Sequence, residues 1–385
     1  MHISKHLFAF VMILQLLIWG TFMGFARTSF TWNGGTGSWH EASNWEPPGV
    51  PGAGDDVEIP AGFVSIGDTD VEVANLTFAT GFIYAEGAKI TITSSMTWIG
   101  GELMGDSTQT SVIDTLEIPA NASLEIRGSG VKTLNRWAFI HQGTAIWQDQ
   151  GVIRFTNNAV FENRETASFN ISNDRAMSFI VPDGGTFKNM GTLSKTGGSS
   201  QSFISVHFEN TGTVNVNSGT VQIDLTSNSI TADFNTLSGT ILEFRNGPHT
   251  LDSVSVMGGT MEIQDAQLSL KGDGLFIATT ATVTMTGSES LVNGDGVLII
   301  DGVFNWNRAE ISGSGGMTIN NILNIGGNSP KILGRNLDNL NTINWAGDGA
   351  LRVIDNAHIQ NQSGAAINMH CLLYTSPSPR DSIAA

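Results

Sequence analysis

Three tryptophans stand within fourteen residues near the start of the chain, at Trp32, Trp39 and Trp45. Flat aromatic faces at that density suit stacking on sugar rings. The same three side chains equally suit a plug over the open end of a layered fold, whose first layer otherwise presents bare strand edge and core to water. Just downstream, Asp55 and Asp56 lie in Gly52-x-Gly54-x-Asp56, a partial echo of the calcium-binding nonapeptide Gly-Gly-x-Gly-x-Asp. Pro51 replaces the first glycine and only one copy exists, so a turn leading into Val57–Ile59 is the competing expectation. No other cofactor is expected.

Catalytic constellations are sparse. The chain contains no Gly-x-Ser-x-Gly, His-Glu-x-x-His or Gly-x-x-x-x-Gly-Lys. Its eight histidines are scattered, with no pair at metal-ligand spacing. Carboxylates and basic groups that could serve polysaccharide cleavage on one face of a β-helix are Asp224, Asp233, Glu243 and Arg245, although surface solvation accounts for them equally well. No residue is assigned a catalytic role, and a non-enzymatic protein is expected.

The elements that must position these residues are strands. Short alternating runs such as Val71-Glu72-Val73, Thr213-Val214-Asn215-Val216 and Val221-Gln222-Ile223 are cut every few residues by Gly, Asn or Asp. Period-two alternation with β-branched residues predicts strands, and no stretch of helical length sustains an apolar stripe. Gly272-Asp273-Gly274, Gly294-Asp295-Gly296 and Gly347-Asp348-Gly349 supply residues that tolerate positive φ in tight turns.

A repeat underlies the strands. Phe161-x-Asn163, Phe187-x-Asn189 and Phe208-x-Asn210 share an apolar-x-Asn frame that returns as Leu337-x-Asn339 and Ile359-x-Asn361. Successive asparagines are 26, 21, 129 and 22 residues apart, the long interval being close to six units of about 21.5. Such a period in a strand-only chain predicts an all-β fold, a right-handed parallel β-helix in which each coil completes the core of the next. Asn163, Asn189, Asn210, Asn339 and Asn361 are expected to form side-chain ladders between coils. At ~4.8 Å per coil, residues 67–370 would give roughly 14 coils and a rod about 65 Å long. An antiparallel sandwich array is the alternative, but no period of domain size accompanies it.

Composition narrows the class. Eighteen Lys and Arg against 35 Asp and Glu give a net charge of −17, the wrong sign for a nucleic-acid binder. The acidic balance also disfavours anionic partners. Apolar residues at 40 % are too many for a disordered acidic chain. Lys5 followed by the apolar stretch 7–25, with Gly24 and Ala26 ahead of Arg27, reads as an export signal cut after Ala26. An uncleaved anchor is the competing reading. No membrane span is expected after signal removal. At the other end, Cys371 to Asp381 resembles the translation of a sequencing-library adapter, so residues 371–385 are set aside and a natural chain continuing past His370 is expected. With Cys371 set aside, no thiol or disulfide remains. Prolines 47, 48, 51 and 60 mark 27–66 as an irregular N-terminal cap ahead of the repeats at 67–370.

Phe208-Glu-Asn-Thr-Gly-Thr-Val-Asn-Val-Asn-Ser-Gly-Thr220, with Phe187–Gly198 and Gly302–Trp345, resembles the β-strand repeats of large bacterial surface proteins. The opening Trp32-Asn-Gly-Gly-Thr-Gly-Ser-Trp39 to Asn44-Trp45 resembles the start of many such secreted modules. The resemblance spans nearly all of 30–370 and rests on low-complexity motifs. It implies an extracellular or cell-surface, adhesin-like or stalk-like protein built on right-handed parallel β-helices, with surface glycans or other surface components as partners. A polysaccharide-binding or polysaccharide-degrading β-helix is the alternative function.

Overall fold

A computed structural model of the chain describes residues 27–107, 113–180 and 184–370. The expected signal segment 1–26 and the tail 371–385 with Cys371 lie outside the described residues. Between them the chain winds into a parallel β-solenoid of about fifteen turns. Among the described residues the one helical element is the single turn Ala42–Asn44, and no helix is long and apolar enough to cross a membrane.

Each coil carries strands on three faces. In one coil the first face is Ala159–Asn163, the second Ser168–Ile171 and the third Ala176–Phe179. Strands of the stacked coils pair in parallel with their counterparts in the adjacent coils. Phe161, for example, sits in register with Phe139 on one side and Phe187 on the other. Third-face strands make a sixteen-stranded sheet, while the first two faces merge into one of 27 strands. The merger comes from strands that run straight through a corner. Lys89–Trp98 pairs by its first half with Asp114–Ile118 and by its second with Ser123–Ile126.

Alternation within each strand decides which side chains enter the core. In Thr213–Val216 the buried residues are Val214 and Val216, while Thr213 and Asn215 face outward. Like residues then meet like along the axis. Phe139 stacks on Phe161 at 4.7 Å and Phe187 on Phe208 at 5.9 Å between ring centroids. Burying each such side chain contributes about 1.5–3 kcal/mol, and no coil achieves it without neighbours.

Glycine enters the repeat because adjacent coils nearly touch at the corners. A Cβ on Gly212 would lie 2.1 Å from the carbonyl oxygen of Gly191, and one on Gly191 would lie 2.4 Å from that of Ala167. The Asn-x-Gly-Thr phrase is therefore a corner signal: it turns the chain and keeps the corner bare of side chain.

The 27–66 segment differs from the expectation of an irregular block. Ser29–Trp32 already pairs in parallel with Asp56–Ile59, and Thr36–Ser38 with Phe63–Gly67, so coil stacking begins inside it. What is irregular is the connection 39–55, which stands where a first-face strand would close this first coil. Part of it, Trp45–Glu46, pairs antiparallel with Thr31 and Trp32, along the edge of Ser29–Trp32. Prolines in this connection mask the strands on either side of it.

Candidate functional site

Trp32, Trp39 and Trp45 come together at the first coil. Trp45 meets Trp32 at 5.0 Å and Trp39 at 4.8 Å, both edge to face. The Nε1 of Trp45 donates to the Trp39 carbonyl at 2.7 Å, and that of Trp39 to the Pro51 carbonyl at 3.4 Å. All three rings are buried, so in this arrangement they present one another, rather than solvent, with their faces.

Asp55 and Asp56 follow in the turn below. Asp55 accepts the backbone N–H of Thr28 and that of Gly52, tying the turn to the first strand. Asp56 accepts from the Asn75 amide at 2.6 Å and lies 3.4 Å from the Arg27 guanidinium. Among the described residues no group of three or more His, Cys, Asp or Glu is arranged to hold a metal ion.

The asparagines stand at the ends of strands in two separate columns, Asn163, Asn189, Asn210 and Asn339 buried in the core and Asn361 exposed. Asn163 donates to the Oδ1 of Asn189, and Asn189 to that of Asn210, each at 2.8 Å on the first face. Each amide also donates to a carbonyl at the start of a second-face strand, Thr192 or Thr213. His141 heads this column, its Nδ1–H donating to Asn163 at 3.0 Å. Asn210 closes it, opposite Ser229. The Nε2 of His141, the Nδ2 of Asn210 and the Oγ of Ser229 have no protein partner. Asn339 and Asn361 instead lie on the second face, with Asn339 donating to Asn361 at 2.6 Å. One sequence frame thus codes a corner, which falls between the first two faces early in the rod and between the last two late in it. Spacing alone does not show the switch, because variable coil lengths hide it.

Of the four residues considered for polysaccharide chemistry, the structure gathers three. Asp224 and Arg245 are register partners on the third face, and Glu243 pairs with Gln222 above and Glu262 below. Arg245 reaches Glu243 at 3.7 Å, and the Gln222 amide donates to both oxygens of Asp224 at 3.0 Å. Asp233 lies apart, exposed on the second face. Glu243 is only 4 % exposed. Its burial, together with the Glu262 and Asp224 carboxylates and against the pull of Arg245, pushes its carboxyl above the usual range. Gln222 and Glu262 escape a reading by sequence because 19 to 21 residues separate each from its neighbour in the column.

Buried basic residues carry no distinguishing signal in the sequence. Lys195, fully buried, has the Asn173 carbonyl at 2.7 Å, Asp174 at 2.8 Å, the Ser202 hydroxyl at 2.8 Å and the Gly197 carbonyl at 2.9 Å around its ammonium. Burial lowers Lys132 to about 8 and Arg335 to about 10. Arg335 spans three coils, its guanidinium facing carbonyls of Gly294, Gly296, Ser312 and Gly316. These cations gather corner carbonyls, some of which, such as Gly316 and Gly294, also accept a backbone N–H from a neighbouring coil, and are positioned to hold the fold rather than a ligand.

Compared with known proteins, the chain matches no family model, no curated protein and no solved structure.

Proposed function

We propose that the protein is an exported, non-enzymatic β-solenoid: an adhesin-like or stalk-like rod whose lateral faces make weak, repeated contacts with surface glycans. The observation that carries this reading is the unbroken stack of about fifteen parallel turns, with polar and charged groups on its outward faces. Stacking turns length into function: a rod of this kind displays equivalent surface positions at ~4.8 Å intervals, and many weak contacts combine through effective concentration. The apolar stretch 7–25 ahead of Ala26 supports export. The buried tryptophan cluster and the antiparallel Trp45–Glu46 segment support a cap over the first coil. Expression of the full chain in an export-competent bacterium tests the reading. A mature N-terminus at Arg27 and labelling of the protein on intact cells are expected; a cytoplasmic product that retains Met1 overturns it.

A second reading rests on the third-face cluster of Asp224, Glu243, Arg245 and Glu262. A carboxyl held up by burial beside a carboxylate on the next strand is an arrangement that glycoside cleavage uses. Release of reducing ends from a polysaccharide panel, abolished in Glu243→Gln, would replace the non-enzymatic reading. No release leaves it in place.

A further inference from the structure

On the first face, a groove of about 410 Å³ runs along the axis beside Gln267, Leu291, Glu310 and Ile332. These four are register partners in successive coils, so the groove crosses four layers of the rod. Its wall is formed by turn residues that precede the strands, including Glu289 and Arg308. Arg308 is half-buried, yet among the described residues its guanidinium has no ion pair and no hydrogen bond. The next residue, Ala309, has φ of 71°, a left-handed conformation that costs a non-glycine residue about 1–2 kcal/mol. Such a left-handed residue recurs at corners along the rod, as at Asn157, Leu225, Thr231 and Asn246. Here it falls between Arg308 and Glu310, which line the same groove.

We infer that this groove binds a short stretch of neutral polysaccharide, with Arg308 donating to sugar hydroxyls, Glu289 and Glu310 accepting from them, and Leu291 and Ile332 meeting the apolar face of a ring. The inference rests on the glycan-contact reading above and gives it a place on the rod. A hydroxyl both donates and accepts, and the groove offers a five-donor fork beside two acceptor-only carboxylates. Charge selects a neutral sugar over a uronate: two carboxylates outnumber one guanidinium locally, and the chain carries −17 overall. Length fits as well, since an extended chain of sugar rings advances along its axis by about one coil spacing per ring.

Titration calorimetry of the full chain with cellotetraose, mannotetraose, chitotetraose and tetragalacturonate tests the assignment. At least one neutral tetrasaccharide is expected to bind, and Arg308→Ala to weaken it about tenfold or more with the melting temperature unchanged. Should Arg308→Ala melt lower, Arg308→Lys keeps the charge but loses the planar fork, and the same loss is expected. Equal binding by the wild type and both variants overturns the groove while leaving the glycan reading standing. Preference for tetragalacturonate overturns the neutral class. No binding to any of the four by the wild type removes the glycan reading and this site with it.

Discussion

His249 and Asn189 show how much of this molecule depends on single buried polar groups. The Nε2–H of His249 donates to the Arg245 carbonyl at 3.3 Å, which leaves Nδ1 bare to accept the Ser227 hydroxyl at 2.8 Å. The ring is therefore held neutral, and burial lowers it from 6.5 to about 4. In the unfolded chain the ring takes up its proton near pH 6.5, so between pH 6.5 and 4 the unfolded state binds more protons. Stability is full above pH 6.5 and falls as the pH drops, by about 3 kcal/mol for this residue. His141 is shifted in the same direction, whereas the raised carboxyl of Glu243 has the opposite sign and loses stability as pH rises. Urea midpoints measured from pH 7 to pH 4 are expected to fall, and to fall less in His249→Gln. An equal drop in the variant would show that this ring does not carry the effect. For Asn189, replacement by Leu takes a donor from Asn210 and an acceptor from Asn163 inside the core, at a cost of about 2 kcal/mol. Asn344 sits in an outward ladder between Asn324 and Asn368, where water substitutes for a lost amide. Asn344→Leu is expected to change the urea midpoint by less than about 0.5 kcal/mol equivalent. Similar losses at both positions would refute a special role for the buried column.

At the scale of the element, the corner is the unit that the sequence writes most clearly. The apolar-x-Asn-x-Gly-Thr phrase was legible because each part answers a separate local need: Phe fills the core, Asn bridges to the next coil, and Gly clears the neighbouring backbone. Strand content and the parallel stack followed from it. The grouping of Asp224, Glu243 and Glu262 was not legible, because a column is defined only when every coil length between its members is known. Strands that pass straight through corners, such as Pro248–Met257 and Gln267–Ile277, remove the turn signals from which those lengths are counted. The buried lysines were hidden for another reason: their charge suggests solvent, and only the corner carbonyls make burial tolerable. The corner argument is testable at Gly212. An added methyl must displace the backbone of Gly191, which belongs to the adjacent coil and cannot swing aside like a side-chain tip. Gly212→Ala is expected to destabilise by about 1–3 kcal/mol, the range for overpacking. Gly239, whose Cβ would meet nothing within 4 Å, serves as the contrast. There the cost is only that of its left-handed φ of 84°, about 1–2 kcal/mol. A Gly212 variant as stable as the wild type in thermal melts would mean that coils separate at the corner freely.

Across the whole molecule, stability is distributed layer by layer. A rod of about fifteen turns extends roughly 70 Å at the strand spacing, so a coil in the middle has no contact with either end. Each layer is stabilised by its own strands and by two interfaces, and an outer layer has only one. The outer layers of the described solenoid are also unlike each other. At the first, Trp32, Trp39 and Trp45 are buried and Trp45–Glu46 runs along the strand edge. At the last, Val353 is 46 % exposed and Met369 65 %, although their register partners Leu333 and Trp345 are buried or half-buried. The layer containing Leu351–Val353, Ile359–Asn361 and Ala366–His370 is thus the least buried of the described ones, and in this 385-residue chain opening is expected to begin there. Hydrogen exchange measures this directly. Amides of Thr213–Val216, in the middle, are expected to exchange more than about 100-fold slower than those of Ile359–Asn361, with Ser29–Trp32 between the two. Uniform protection along the axis would mean that the rod opens only as a whole, and layers would then be coupled far more strongly than nearest-neighbour stacking provides.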